Sequence, residues 1–401
     1  MGERILKKLR RNRWLIALAA SGIHISIGSV YAWSVLVLPI MAETGWGLSS
    51  VTFTFSLAIL FLGLSAGFFG NFTEKYGVTK TGLISTAFFC VGLFGTALAL
   101  SVHSMLLLYL FYGVIGGIGL GLGYITPVST LVKYFPNNKG FATGLAIMSF
   151  GFASMIAAPL MQFLVATYNL STNFLILGFS YAIIMSISSL YLAPPENYSE
   201  EDEDSEEDLE PKDVYKTWQF KALWIIFFIN IMCGIALLSI ISPMAQEVIG
   251  FSAERAASLV GIVGLINGSG RILWSTFSDY IGRGYTYITF FIIEALLFFF
   301  LATTTNEFLF EIFVLLIISC YGGGFSCMPA YLSDIFGNKH LSTIHGRVLT
   351  AWGFAGLAGP LCISFGKEFL GSYSLILYCF VAFFVLSLII ATVLKDKAGE
   401  L

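Results

Sequence analysis

Arg271 sits inside an apolar stretch, four residues after Asn267 and eight before Asp279. Eight residues of helix span about 12 Å, and the midplane of a 30 Å hydrocarbon core lies about 15 Å from its surface. A side chain starting there is too deep to reach the interface comfortably. A guanidinium at that depth costs about 2.5–3.5 kcal/mol on insertion scales, so it must face a wet cavity and meet an anion. Its planar fork matches a carboxylate, and no permanent carboxylate is evident on the helices that would line a cavity. The anion it suits is then a substrate; the competing reading pairs Arg271 with Glu294 or with backbone carbonyls. Asn267, one turn earlier on the same face, offers an amide either to a substrate oxygen or to a helix–helix hydrogen bond. Two further ionisable groups lie at similar depth. His24 is about ten residues into the first apolar stretch and seven before Tyr31, and an imidazole with an ordinary pKa near 6.5 is suited to carrying a proton. Its plainer role is a hydrogen-bonded core histidine. Glu294, about ten residues into the ninth stretch, is either a second proton carrier or a packing residue.

The elements that must hold these groups follow from composition. Of 401 residues, 57% are hydrophobic and 11% charged, against about 25% charged in soluble domains, which excludes a soluble globular protein. Twelve apolar windows, at about 14–40, 51–72, 81–102, 105–132, 141–166, 173–193, 218–243, 256–277, 285–304, 308–333, 347–366 and 372–394, are each near the roughly 20 residues that cross a bilayer as a helix. The fold class expected is an all-α integral membrane protein of twelve helices. The first window has no small-residue cleavage site before it runs on through Pro39 and reads as a retained helix, not a signal peptide. With a cytoplasmic N-terminus, eighteen Lys and Arg residues fall inside and only Arg255 and Lys367 outside, with Arg271 within a span. That bias sets both termini on the cytoplasmic side of a cell membrane.

The chain is one unit written twice. Phe150-Gly151-Phe152-Ala153 recurs as Trp352-Gly353-Phe354-Ala355, offset 202; Pro127 matches Pro329, also offset 202; and Glu74-Lys75-Tyr76-Gly77 matches Asp279-Tyr280-Ile281-Gly282-Arg283, offset 205. Six spans per copy imply a parallel duplication about an axis along the membrane normal, an arrangement of carriers that bind substrate near the midplane between rocking halves. The expected organisation is a first half over 1–193, an acidic cytoplasmic linker over 194–217 and a second half over 218–401. Glu196 to Glu210 holds ten carboxylates and no base, which leaves a net +7 on the remainder of a chain whose formal charge is -3. So dense a run of like charge buries nothing and reads as a disordered tether.

Other features restrict the chemistry. Gly113, Gly116, Gly117, Gly119, Gly121 and Gly123 lie within an apolar helix, where small residues bring backbones together, and not in a strand-to-helix phosphate loop. The six cysteines all fall in spans without ligand spacing. No nucleophile–base–orienter set, zinc signature or nucleic-acid module occurs. Enzyme activity, a metal, a cofactor and a nucleic-acid partner are therefore not expected.

These residues resemble the major facilitator superfamily. Its loop signature is similar to Gly70, Glu74, Lys75 and Gly77, with a partial second copy in Ser275, Asp279, Gly282 and Arg283. Within it, the chain resembles the oxalate/formate antiporter family, which includes monocarboxylate carriers. The matching stretches are Asn12-Arg13-Trp14, Tyr31-Ala32-Trp33-Ser34, Lys133-Tyr134-Phe135-Pro136 to Lys139-Gly140, Gly270-Arg271 followed by Ser278-Asp279, and Ser333-Asp334-Ile335-Phe336-Gly337. The resemblance implies that Arg271 is the substrate-binding arginine and that Tyr31, Trp33, Tyr124, Tyr321 and Phe325 line the pocket, Phe325 standing where oxalate carriers have a Tyr. It also makes Glu74, Lys75, Asp279 and Arg283 gate loops that lock one access state. Oxalate carriers have a second cation, a lysine, in span eleven, and aligning Gly346 and Gly359 places Trp352 there. Two span-two glutamines of those carriers are Ile59 and Leu62 here. Two cations suit a dianion and one suits a monoanion. The expectation is a monomeric secondary transporter of small monocarboxylates of the lactate, pyruvate or formate type. It would be coupled to a proton or a counter-anion, because a monoanion moving against a negative-inside potential costs about 2.3 kcal/mol per 100 mV. The alternatives are an oxalate/formate-type antiporter and, from another class, a carboxylate-sensing membrane receptor without flux.

Overall fold

The computed structural model describes residues 12–69, 72–134, 139–194, 211–337 and 341–397. Among these, twelve helices are long and apolar enough to cross a membrane: α1 Arg13–Ala32, α2 Leu48–Phe68, α3 Val78–Ser101, α4 Met105–Val128, α5 Leu145–Thr167, α6 Leu170–Tyr191, α7 Trp218–Ile249, α8 Ala253–Ile281, α9 Arg283–Leu301, α10 Glu307–Phe336, α11 Thr343–Leu370 and α12 Ser374–Lys395. Each overlaps one apolar window of the sequence.

Polar residues at the ends start these helices by accepting the first unpaired N–H groups. Asn12 caps α1, Ser104 α4, Asn169 α6, Thr217 α7, Ser252 α8 and Asn306 α10. α1 tightens to a 3₁₀ turn over Ser29–Ala32 and then continues as the helix Ser34–Thr44, which contains Pro39. The turn falls at Tyr31 and so aims that side chain.

Packing repeats the duplication. α2 packs on α11 and α8 on α5 across the two halves, α1 packs on α5 as α7 does on α11, and α3 pairs with α6 as α9 does with α12. The two inter-half crossings are close: a Cβ at Gly63 of α2 would stand 2.6 Å from the Cα of Gly353 of α11, and one at Gly151 of α5 would stand 2.9 Å from the Cα of Gly268 of α8. Gly63 and Gly268, and Gly151 and Gly353, are the equivalent positions of the two copies. After α2 and α8, Gly77 and Gly282 share left-sided backbone angles of φ 81° and 87°, which L side chains rarely adopt. In α4, Gly117 lies against Ala58 and Phe61 of α2, the close approach its glycines implied.

Burial separates central from peripheral helices. Of the apolar window, 89% is buried in α7 but 28% in α12 and 39% in α6 and α9. Large apolar side chains such as Phe179, Ile187, Leu296 and Ile389 are exposed, as faces turned to lipid should be. The two bases expected outside are paired, Arg255 with Glu307 and Glu311 and Lys367 with Glu247.

The linker differs in extent from the 194–217 expected. Residues 195–210, with the whole acidic run, lie outside the described residues. Pro211–Val214 is a helical turn with Val214 fully buried, Tyr215 packs on Phe220, and Arg347 lies 5.6 Å from the Tyr215 ring. The tether reading does not hold for 211–217, because apolar Val214 and Tyr215 anchor that stretch to the second half.

Candidate functional site

Arg271 is 1% exposed and Asn267 0%. Both lie on the inner face of α8, where Asn267 Oδ1 accepts from Arg271 Nε at 3.4 Å. Gly322 of α10 makes room for this amide, since a Cβ there would be 2.5 Å from the Asn267 carbonyl oxygen and 2.8 Å from its Oδ1. Asn267 thus orients the guanidinium, and its Nδ2 is left over. Arg271 lies 5.0 Å from the Phe325 ring, a cation–π distance, and the Tyr31 and Tyr124 hydroxyls lie close beside it. No ion pair to Arg271 occurs among the described residues. Glu294 does not serve: it is fully buried between α7, α9 and α10, and Asn230 Nδ2 donates to its two oxygens at 3.0 and 3.2 Å.

Aromatic rings enclose the cation. Tyr31 of the first half and Tyr321 of the second share a hydroxyl–hydroxyl bond of 2.8 Å. Phe325 meets Tyr321 at 5.4 Å, Trp352 at 4.9 Å and Phe227 at 5.3 Å. Trp352 meets Tyr124 at 5.1 Å. Such rings keep water out and strengthen the field of the charge. Within the cage three buried donors have no protein partner: Arg271 Nη1, Asn267 Nδ2 and Trp352 Nε1. Buried donors left without acceptors are costly, and each of these three can donate to an acceptor oxygen that enters the cage.

The structure therefore brings together Arg271, Asn267, Tyr31, Tyr124, Tyr321, Phe325 and Trp352. It does not bring Trp33 to them. Two residues beyond Tyr31 in a tight turn, that ring points into the first half and packs on Tyr112 at 4.4 Å. Sequence reasoning missed Phe150, which contacts Tyr31, Tyr124 and Trp352 edge-on. The repeat already pairs Phe150 with Trp352, so symmetry was its available signal. Asn230 was also missed, and a lone amide in an apolar helix gives none.

His24 is fully buried beside the cage. Its Nδ1 lies 2.5 Å from the Ala146 carbonyl oxygen and its Nε2 3.0 Å from that of Tyr124, with the Tyr124 ring stacked at 5.4 Å. At the loop expected as a gate, Arg283 pairs with Asp279 and, at 3.5 Å, with Asp334 at the end of α10. These ties stay within the second half. Lys75 is exposed beside Tyr76, and the Glu74 side chain lies outside the described residues. At the opposite end of the bundle, Glu368 of α11 accepts from Ser49 N at 2.9 Å and Ser49 Oγ at 2.5 Å at the start of α2, a latch between the halves. No metal-ligand cluster occurs among the described residues.

Twelve spans in two like halves around a buried cation describe a membrane transporter. The sequence profile of the Major Facilitator Superfamily matches residues 15–360, and the chain belongs to that superfamily. It is 24% identical to the oxalate:formate antiporter of Oxalobacter formigenes, covering 88% of this chain and 86% of that protein. It is 22% identical to apicoplast pyruvate carrier 1 of Toxoplasma gondii, covering 90% and 86%. Among solved structures, a bacterial homolog of the human lysosomal transporter Spinster, inward-facing and unoccupied, superposes with a TM-score of 0.77 at 15% identity, covering 97% of this chain and 98% of that one.

Proposed function

We propose that this protein is a secondary active transporter of small monocarboxylates, of the lactate, pyruvate or formate type, working by alternating access around Arg271 and coupled to protons. It sits as a monomer in the cell membrane with both termini cytoplasmic. The observation that carries the reading is the cage: one buried guanidinium with no carboxylate partner, and three donors without acceptors, among the described residues. A carboxylate satisfies Arg271 Nη1 and neutralises its charge, while Asn267 Nδ2 and Trp352 Nε1 take its remaining oxygens. Relatives named for oxalate, formate and pyruvate agree with a carboxylate. Trp352 in place of a cation, and apolar Ile59 and Leu62 on α2, favour one negative charge over two. His24 and Glu294 are the candidate proton carriers, and Glu74, Lys75, Asp279 and Arg283 are the candidate residues of the cytoplasmic gate loops.

The test is uptake by the purified protein in liposomes of labelled lactate, pyruvate, formate and oxalate, with and without an inward pH gradient. The expected result is uptake of at least one monocarboxylate, accelerated by the gradient and absent in Arg271→Ala. Exchange of oxalate with the three monocarboxylates untouched overturns the substrate assignment. Arg271-dependent binding without flux of any anion makes the protein a receptor.

A further inference from the structure

His24 links three spans through two acceptors. One ring nitrogen faces the Ala146 carbonyl of α5 and the other the Tyr124 carbonyl of α4, at 2.5 and 3.0 Å. A neutral imidazole carries one N–H, so it satisfies one carbonyl and turns a lone pair toward the oxygen of the other. Only the imidazolium donates at both nitrogens. The backbone here is thus arranged for the protonated ring. A charge in so apolar a place is nonetheless opposed by its burial and by its neighbours. Residues 13–42 and 105–191, which supply α1 and the α4, α5 and α6 packed against it, contain no Asp or Glu. The titratable hydroxyls facing this region are Tyr124 of α4, stacked on the ring, Tyr31 beyond the shared neighbour Phe150, and Tyr181 of α6, which reaches Ser29. Arg271 stands beyond Tyr124, whose ring stacks on His24 and whose hydroxyl lies beside the guanidinium.

We propose that His24 is the proton site of the transport cycle and that its proton and the carboxylate on Arg271 bind as a cooperative pair. This rests on Arg271 being the anion site. With the cage empty, the Arg271 charge repels a proton from His24. A carboxylate on Arg271 cancels that charge, and the two carbonyls then hold both N–H groups. The proton comes from the water to which the site is open, joins the imidazole without any change in the substrate's own bonds, and leaves on the other side with the anion. One positive and one negative charge enter together, so the loaded site crosses the membrane potential with no net addition of charge. By reciprocity the proton tightens anion binding by the same factor as the anion tightens proton binding. The sign is fixed: acid strengthens substrate binding. Glu294, the other candidate carrier, has both oxygens engaged by Asn230.

Three measurements on the full chain test this. The first is exchange of labelled pyruvate, lactate or formate between equal-pH compartments, which needs no net proton movement. The second is binding of the same anion between pH 5.5 and 8, and the third is proton uptake on anion addition in weak buffer. Wild type is expected to exchange, to bind about tenfold or more tightly at acid pH, within the usual 5–150-fold range of site coupling, and to take up a proton with the anion. His24→Gln is expected to lose both pH effects, which Glu294→Gln loses instead if that carboxyl is the carrier. If His24→Gln does not fold, ¹⁵N-histidine NMR of a chain with His103, His340 and His345 replaced by Gln reads the ring directly, and anion addition must convert it to imidazolium. No exchange by wild type with any of the anions overturns the transporter reading itself. Exchange with proton uptake retained in His24→Gln, proton uptake lost in Glu294→Gln, or a ring unchanged by the anion overturns the coupling alone.

Discussion

Replacing Arg271 by Gln separates a binding residue from a structural one, because the two roles predict opposite signs for stability. Hydrogen bonds to charged groups contribute about 1.5–3 kcal/mol each, and a fork that grips a carboxylate makes two. Their loss weakens anion binding by about 3–6 kcal/mol, roughly a hundredfold to ten-thousandfold. The resting protein gains instead. A buried guanidinium costs about 2.5–3.5 kcal/mol in a membrane span; its hydrogen bond to Asn267 is long, 3.4 Å from Nε, and returns about 1.5 kcal/mol, with the Tyr31 and Tyr124 hydroxyls close by. Arg271→Gln is therefore expected to raise the melting temperature in detergent while abolishing saturable uptake. Arg271→Lys keeps a point charge without the fork and should lose about one bond, roughly tenfold to a hundredfold in affinity. The assays are thermal unfolding of the purified protein and binding of the labelled anion. A melting temperature that falls by several degrees with binding intact would refute the reasoning and make Arg271 a structural residue.

Further predictions follow from the same geometry. Trp352→Lys restores a second cation opposite Arg271 and should shift selectivity toward oxalate by more than about tenfold, read as competition against the preferred monocarboxylate; a neighbouring charge is worth several kcal/mol in so dry a site. Glu368→Ala removes the two hydrogen bonds that tie α11 to α2 at Ser49 and should shift the inward–outward balance by about tenfold to a hundredfold, seen as faster labelling of Val35→Cys, which is buried in the helix Ser34–Thr44. Gly151→Val or Gly63→Val forces a side chain into a backbone crossing that leaves under 3 Å and should abolish transport and lower the melting temperature, whereas Gly261→Ala, where the nearest atom is 3.5 Å away, should do neither.

Much of this was legible in order of residue type. Every span was readable because a bilayer demands long apolar runs, and the duplication was readable because Pro127 and Pro329, and Gly151 and Gly353, sit at the same places in two copies. Arg271 stood out since a permanent charge at depth needs a partner. The partners themselves were not readable. Trp33 and Tyr31 are two residues apart, and only the tight turn over Ser29–Ala32 decides that one faces the cage and the other Tyr112. The sequence alone leaves Glu294 as a competing partner for Arg271, and its place against Asn230 excludes it. For the linker, charge described 196–210, but the burial of Val214 depends on contacts with the second half.

The sequence by itself determined that this is a twelve-span, twofold-repeated membrane protein with a buried cation, because solvation by lipid acts on each segment alone and leaves its mark on composition. Tertiary structure decided which donors are left without acceptors and which carbonyls face His24. Hydrogen bonds are directional and short, and the groups that meet there come from α1, α4, α5, α8, α10 and α11, whose distances along the chain say nothing about their distances in space.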